Sequence, residues 1–326
     1  MTDLKSVPVL VSGEMNPPTL EILRGLFDVR YLPDGAIDRL GDEERAAIKG
    51  VALRGGFTPA KMHLLPNLEI VASFGVGYDG VDAGHAAGHG IAVTNTPDVL
   101  NDEVADTAVA LLLNTVRELP KAEAYLRAGR WAAEGDYPLT RTTLRERSIG
   151  IMGLGRVGLA VARRLEAFGV SIAYHNRSKR DDVAYAYHPT LEALATAVDT
   201  LVIVAPGGSS TDKAVNAAVL KALGPDGVLI NVGRGTVVDE EALIAALQDD
   251  TIRAAGLDVF AREPHVPQAL LDAGNAVLLP HVGSGSVHTR NAMGDLLTEN
   301  LKAWFEGRRP PTLVPEAVEA GILQRR

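Results

Sequence analysis

The sequence predicts an α/β protein of two domains with mostly parallel sheets, the second of them doubly wound. Three observations carry this. The chain has 326 residues, about twice a typical domain of ~150. Apolar runs of strand length recur at intervals that leave room for a helix, and they are continuous rather than alternating, as strands buried on both faces are. A glycine-rich turn, Gly153-Leu154-Gly155-Arg156-Val157-Gly158, stands between one such run and a helical stretch.

In the first hundred residues the apolar runs fall at 7–11, 29–32, 51–53, 68–73 and 91–94. Residues 101–127 read as helical, with Asp102, Glu103 and Asp106 in the opening turns where the helix dipole favours acid, and with a break or bend at Pro120. Residues 130–143, containing Trp131 and Tyr137, read as an irregular arm. A second series places strands at 148–152, 171–174, 200–205, 227–232, 254–259 and 276–279, with helices at 157–168, 190–195, 216–223 and 239–248 between them. The amphipathic stretch 287–305 follows, and periodicity alone assigns it to neither domain.

Composition excludes several classes of function. The longest unbroken apolar stretches, 108–113 and 201–206, span about six residues, far short of the ~20 of a membrane helix. Lys plus Arg is 32 against 41 for Asp plus Glu, 32 − 41 = −9, and the only basic cluster is Arg177-Ser178-Lys179-Arg180. Neither a membrane nor a nucleic acid is expected as partner. The lack of cysteine removes disulfides, thiolate metal sites and a cysteine nucleophile. The opening Met1-Thr2-Asp3-Leu4-Lys5 has no cationic-then-apolar leader pattern, so a cytoplasmic location is expected.

The glycine turn points to a dinucleotide. Gly153 permits the tight turn, Gly155 lets the backbone approach a pyrophosphate, and Gly158 lets helix and strand pack closely; Leu154, Arg156 and Val157 complete the loop at the helix N-terminus. An acidic residue that would bond the adenosine ribose is missing from the end of the next strand. Asn176, Arg177, Ser178 and Lys179 stand there instead, with cationic and hydroxyl groups that suit a 2′-phosphate. NADP(H) is therefore the preferred cofactor, with NAD(H) possible; the alternative is a solvated basic turn.

Ligands of open α/β sheets bind beyond the carboxyl ends of the strands. There the sequence puts Arg234 after 227–232, Glu263 after 254–259 and His281 after 276–279. These types suit reduction of a carbonyl next to a carboxylate. Histidine donates the proton that a developing alkoxide needs, Glu263 holds the ring, and Arg234 clamps a carboxylate through its planar fork. His265 is a secondary candidate for the donor. His85 and His89 stand four apart, as helical metal ligands do, but no His-Glu-x-x-His pattern is present. Gly84, Gly88 and Gly90 suit a fraying end, so both read as surface residues and no metal site is assigned.

With the glycine turn, Asn231-Val232-Gly233-Arg234-Gly235, Gly256-Leu257-Asp258-Val259-Phe260 before Glu263-Pro264, and Pro280-His281-Val282-Gly283-Ser284 in order, the chain resembles the D-isomer-specific 2-hydroxyacid dehydrogenases. Gly75-Val76-Gly77-Tyr78-Asp79 and Asn95-Thr96-Pro97-Asp98-Val99 extend the likeness over nearly the whole chain. Asn176-Arg177-Ser178-Lys179 and the sequence around His281 are most similar to the NADPH-preferring glyoxylate, hydroxypyruvate and hydroxyphenylpyruvate reductases.

The resemblance implies two Rossmann-like, doubly wound parallel-sheet domains set around a cleft, a dinucleotide-binding domain at 101–289 and a flavodoxin-like substrate-binding domain made of 1–100 and 290–326, in a homodimer. It implies that His281 is the proton donor, Glu263 its partner and Arg234 the substrate contact. Val76 and Gly77 would offer N–H groups to the substrate carboxylate, with Ser284 nearby. Asp258 and Gly283 would stand at the nicotinamide, while Pro206 and Val232 line the cofactor groove. The loop Pro206-Gly207-Gly208-Ser209-Ser210-Thr211 departs from the family pattern. Trp131 and Tyr137 are candidates for an aromatic lent to a partner subunit.

The activity expected is NADPH-dependent reduction of glyoxylate and hydroxypyruvate to glycolate and D-glycerate. Alternatives are a bulkier 2-oxo acid, such as a phenylpyruvate or 2-ketogluconate, with Leu53, Arg54 and Gly55 lining its pocket, and a dinucleotide-sensing protein of the corepressor kind.

Overall fold

The computed structural model describes residues 3–325. They form two compact units, Met1–Leu100 with Ser286–Arg326, and Asn101–Gly285. The first contains strands β1 Pro8–Ser12, β2 Asp28–Leu32, β3 Gly50–Leu53, β4 Ile70–Ser73 and β5 Ala92–Thr94. All pair in parallel in the order β2-β1-β3-β4-β5. The second contains β6 Ser148–Met152, β7 Ser171–His175, β8 Ala186–Tyr187, β9 Thr200–Ile203, β10 Val228–Asn231, β11 Ala254–Leu257 and β12 Ala276–Leu278. These are parallel too, in the order β12-β11-β10-β9-β6-β7-β8. The doubly wound fold class is thus the one expected. The strand order of the first unit reverses direction between β1 and β3, that of the second between β6 and β9, and at these switch points the loops diverge to leave a crevice.

Continuous apolar runs in the sequence become strands covered on both faces. In the second unit one face packs Ile149, Ile151, Val202 and Ile230 against Leu111, Leu112 and Leu165. The other packs Ile203, Leu229 and Leu257 against Leu194, Leu220 and Leu243. In the first unit the helix Val287–Phe305 lies against the helix Pro17–Leu26 and the β3–β4 region, burying Met293, Leu297, Leu301 and Trp304. Ser286 caps that helix by accepting the Thr289 N–H at 3.2 Å, so the chain enters the first unit at Ser286, four residues before the boundary read from the sequence.

Three local details differ from expectation. The stretch 101–127 is two helices, Asn101–Val116 and Leu119–Arg127, separated by Glu118 in the left-handed region at φ 51°. The break falls just ahead of Pro120, which takes an N-terminal position where its missing N–H costs nothing. The arm contains a short helix, Arg130–Glu134, whose ends pair through Arg130 Nε and Nη2 to Glu134 at 2.9 and 2.8 Å. Two-residue β8 extends the sheet edge beyond what its sequence signals. Among the described residues no helix is long and apolar enough to cross a membrane.

Candidate active site

The glycine turn leaves β6 and enters the helix Arg156–Glu166. A Cβ on Gly158 would lie 2.3 Å from the Gly153 carbonyl oxygen, so glycine is required there by the fold itself. Gly155 is different. A Cβ would meet nothing within 4 Å and its φ is −89°, so neither space nor backbone demands glycine in the protein alone. The turn keeps an open, backbone-lined cradle at a helix N-terminus, where the Val157 N–H has no carbonyl within the helix, and this fits a pyrophosphate.

Two side chains from beyond β7 hold that turn. Asn176 Oδ1 accepts the Leu154 N–H at 2.7 Å, and Arg180 Nη1 donates to the Leu154 carbonyl at 2.8 Å. Asn176, expected at the adenosine end of the cofactor, therefore has its carbonyl committed to shaping the loop. Arg180 also pairs with Asp182. Arg177, Ser178 and Lys179 are exposed and make no hydrogen bond or ion pair among the described residues. Pro206 is exposed, its carbonyl accepting from Thr211 Oγ1 at 2.7 Å, whereas Val232 is buried with its N–H on Ile203 O.

At the carboxyl ends of β10, β11 and β12 the structure assembles the remaining candidates of this unit. Asn231 braces the Arg234 turn, donating to Arg234 O at 3.0 Å and accepting the Gly233 N–H at 3.0 Å. Arg234 is half-buried, with Nη1 on Gly233 O at 2.8 Å. His281 Nδ1 lies 2.7 Å from Glu263 Oε2, and Glu263 Oε1 accepts the Phe260 N–H at 3.1 Å. Burial pushes the Glu263 carboxyl up, but the His281 and Phe260 bonds and the charges of His281 and Arg234 outweigh it, holding it below its usual range. The carboxylate stays ionised and fixes one ring nitrogen, which leaves Nε2 of His281 as the atom able to exchange a proton with a ligand. His265, the secondary candidate, is exposed on the loop after Pro264.

Asp258 underlies the histidine. Its oxygens accept the N–H groups of Val282 at 2.7 Å and Gly283 at 2.8 Å, and its carbonyl accepts that of His281 at 2.9 Å. Burial raises its carboxyl from the ordinary value, opposed by the two N–H bonds. Ser284 is buried at the end of the same loop.

In the other unit the turn after β4 carries Val76 and Gly77, whose N–H groups donate to nothing among the described residues. Its shape is held from outside. Asn95 Nδ2 donates to Val76 O at 2.8 Å, the Thr96 N–H to Gly75 O at 2.8 Å, and Thr312 Oγ1 to Asn95 O at 2.7 Å. Tyr78 donates to Glu316 at 3.2 Å, and burial with that carboxylate pushes its hydroxyl up to about 12. At the β1/β3 switch point lies a cavity of about 360 Å³ bordered by Ser12, Glu14, Arg54, Gly55 and Lys61.

The two glycines give a direct test. Gly155→Val should leave the thermal midpoint within about a degree while weakening NADPH, titrated by fluorescence, at least about tenfold. Gly158→Val should instead destabilise the protein by about 1–3 kcal/mol or more in urea unfolding. Unimpaired NADPH binding by Gly155→Val would remove the turn from the cofactor site.

The chain is similar to known proteins over most of its length. The profile of the D-isomer specific 2-hydroxyacid dehydrogenase NAD binding domain matches residues 109–283. A glyoxylate/hydroxypyruvate reductase A of Arabidopsis thaliana is 51% identical over 244 residues, 75% of this chain and 77% of its own. A hydroxyphenylpyruvate reductase of Plectranthus scutellarioides is 49% identical over 251 residues, 77% and 79% of the two chains. The crystal structure of an NADPH-dependent glyoxylate/hydroxypyruvate reductase from Sinorhizobium meliloti, in complex with NADP and malonate, superposes with a TM-score of 0.93 at 57% identity, covering 95% of this chain and 97% of that one. On this extent of likeness the chain belongs to the D-isomer specific 2-hydroxyacid dehydrogenase family.

Proposed function

We propose that this protein is an NADPH-dependent reductase of small 2-oxo acids, converting glyoxylate and hydroxypyruvate to glycolate and D-glycerate. The observation that carries the reading is the 2.7 Å contact of His281 with Glu263 on the sheet edge that also bears the glycine turn. Similarity to reductases of these two acids supports the substrate class, and the NADP complex of the S. meliloti enzyme supports the cofactor.

The bound reduced nicotinamide supplies the hydride to the substrate carbonyl carbon. His281, its Nδ1 held by Glu263, gives the proton from Nε2 to the carbonyl oxygen as negative charge grows there. Arg234 holds the substrate carboxylate and stabilises the developing charge. The N–H groups of Val76 and Gly77 are proposed as donors to a substrate carboxylate. Asp258 and Gly283 are assigned to the nicotinamide end, Pro206 and Val232 to the groove, and Ser284 to the substrate side.

The cavity beside Arg54 and Lys61 supports a second substrate reading, a bulkier, oxygen-rich 2-oxo acid such as 2-ketogluconate. Exposed apolar side chains Leu119, Leu126, Trp131 and Leu139, the last 97% exposed, support a homodimer formed through the arm. Trp131 and Tyr137 each make one hydrogen bond within the chain, to Asp136 and Glu118 at 3.2 Å, but Trp131 is 58% exposed and Tyr137 partly buried, so Trp131 is the better candidate for an aromatic lent across that contact.

Initial rates at 340 nm should be highest with NADPH and glyoxylate or hydroxypyruvate, and lower with phenylpyruvate and 2-ketogluconate; no turnover with any of the four acids would refute the reading. His281→Ala should lower kcat by about 10²–10⁴ with NADPH binding intact. Glu263→Gln removes the carboxylate that fixes the ring through Nδ1, so kcat should fall by about tenfold or more with NADPH binding intact; an unchanged kcat would separate Glu263 from the proton donor. Arg177→Ala should raise KM for NADPH well above any change for NADH, and equal changes would mean that the turn does not read the phosphate. Light scattering should give twice the 34.5 kDa chain mass, falling towards one with Leu139→Asp and Trp131→Asp; a wild-type monomer would exclude the arm contact.

A further inference from the structure

The geometry points to a divalent transition-metal site on the first unit, formed by His63, His85 and His89 and separate from the residues assigned to the reaction. His63 ends the helix Pro59–His63; His85 lies in the helix Ala83–Gly88 and His89 caps its C-terminus. One ring nitrogen from each lies within 4.8 Å of those of the other two. The ring centroids are 5.0 Å apart for His63 and His85, 5.8 Å for His63 and His89, and 4.1 Å for His85 and His89.

Two further observations separate this cluster from a chance meeting of surface rings. Nε2 of His85 is buried and has no hydrogen-bond partner among the described residues, which leaves a strong polar atom of this ring unsatisfied. Nδ1 of His89 lies 2.8 Å from the His85 carbonyl oxygen, to which it donates as N–H. That bond fixes the tautomer with the lone pair on Nε2, the arrangement in which ligating histidines are held. Nitrogens sharing a tetrahedral ion at about 2.0–2.1 Å stand about 3.3 Å apart. His63 is exposed, so rotation of its ring can bring it towards the nitrogens of His85 and His89.

Three neutral imidazoles and no carboxylate in the set select a borderline ion such as Zn²⁺ or Ni²⁺ over Mg²⁺ or Ca²⁺, with open positions left for water. The ion would tie together two helices whose preceding loops are already joined, since the Phe57 N–H donates to Gly80 O at 2.8 Å and Phe57 bridges Val81. It would thereby stiffen the loops after β3 and β4.

Calorimetric titration of the full chain, tag-free and stripped with chelator, tests this with ZnCl₂, NiCl₂ and MgCl₂. One equivalent of Zn²⁺ or Ni²⁺ should bind, Mg²⁺ should not, and zinc-edge absorption should show three imidazole nitrogens at about 2.0–2.1 Å. The double variant His63→Gln, His89→Gln, both at exposed positions, should lose affinity by at least about 30-fold while keeping the wild-type melting midpoint in chelator. Absence of a one-equivalent site, unchanged affinity in the double variant, or equal binding of Mg²⁺ would each overturn the assignment.

Discussion

Parallel pairing dictates where everything else in this molecule can go. Each strand must be followed by a return across a face of its sheet, so every loop that leaves a carboxyl end falls on one edge and every loop that enters a strand falls on the other. In the seven-stranded sheet this brings the glycine turn, Asn176, Arg234, Glu263 and His281 to one edge from five different strands. The opposite edge is used for cohesion. Buried Arg147, just ahead of β6, donates to Thr200 Oγ1 at 2.6 Å, to Asp199 O at 2.7 Å and to Asp226 O at 2.8 Å, tying together the starts of β6, β9 and β10. Burial lowers its pKa, and the Asp199 and Asp226 charges oppose that. A desolvated cation is tolerated because its donors end on oxygens fixed by the sheet.

A second constraint acts within the reactive edge. His281 has φ 52°, a left-handed conformation that costs a residue with a Cβ about 1–2 kcal/mol. Asp258 offsets this through bonds from the three successive N–H groups of His281, Val282 and Gly283, two of them charge-assisted and worth about 1.5–3 kcal/mol each. The buried carboxylate thus sets the backbone that aims the imidazole at Glu263. Its role in placing the ring is as concrete as the one that resemblance assigns it at the nicotinamide.

What could be read from the sequence follows the range of each signal. Strands showed because continuous apolar runs are local, and Arg234, Glu263 and His281 showed because each lies a few residues beyond such a run. The bracing of the glycine turn by Asn176 and Arg180 did not show. It spans 22 and 26 residues and depends on the register that sets Met152 beside His175. The third histidine beside His85 and His89 was hidden for the same reason. His63 is brought to them only by the pairing of β3 with β4 and by the bridge from Phe57 to Val81. The helix Arg130–Glu134 escaped because aromatic and glycine content outweighed one i,i+4 ion pair.

Cofactor choice is where local charge and geometry must be told apart. The turn after β7 contains Arg177, Lys179 and Arg180 against Asp181 and Asp182, a net of only +1, and Arg180 is already committed to Asp182 and Leu154. A diffuse positive field therefore contributes little, and salt would screen most of it at this exposed site. On the proposed function, selection of a 2′-phosphate would have to come from directed bonds, for which the planar fork of Arg177, the Ser178 hydroxyl and the Lys179 ammonium are the proposed donors. Those three residues make no hydrogen bond or ion pair among the described residues, whereas their neighbours Asn176 and Arg180 pin both ends of the turn to the glycine loop. The groups proposed to recognise the phosphate thus stand on a backbone that is held, because the same two anchors tie the turn after β7 to the glycine loop.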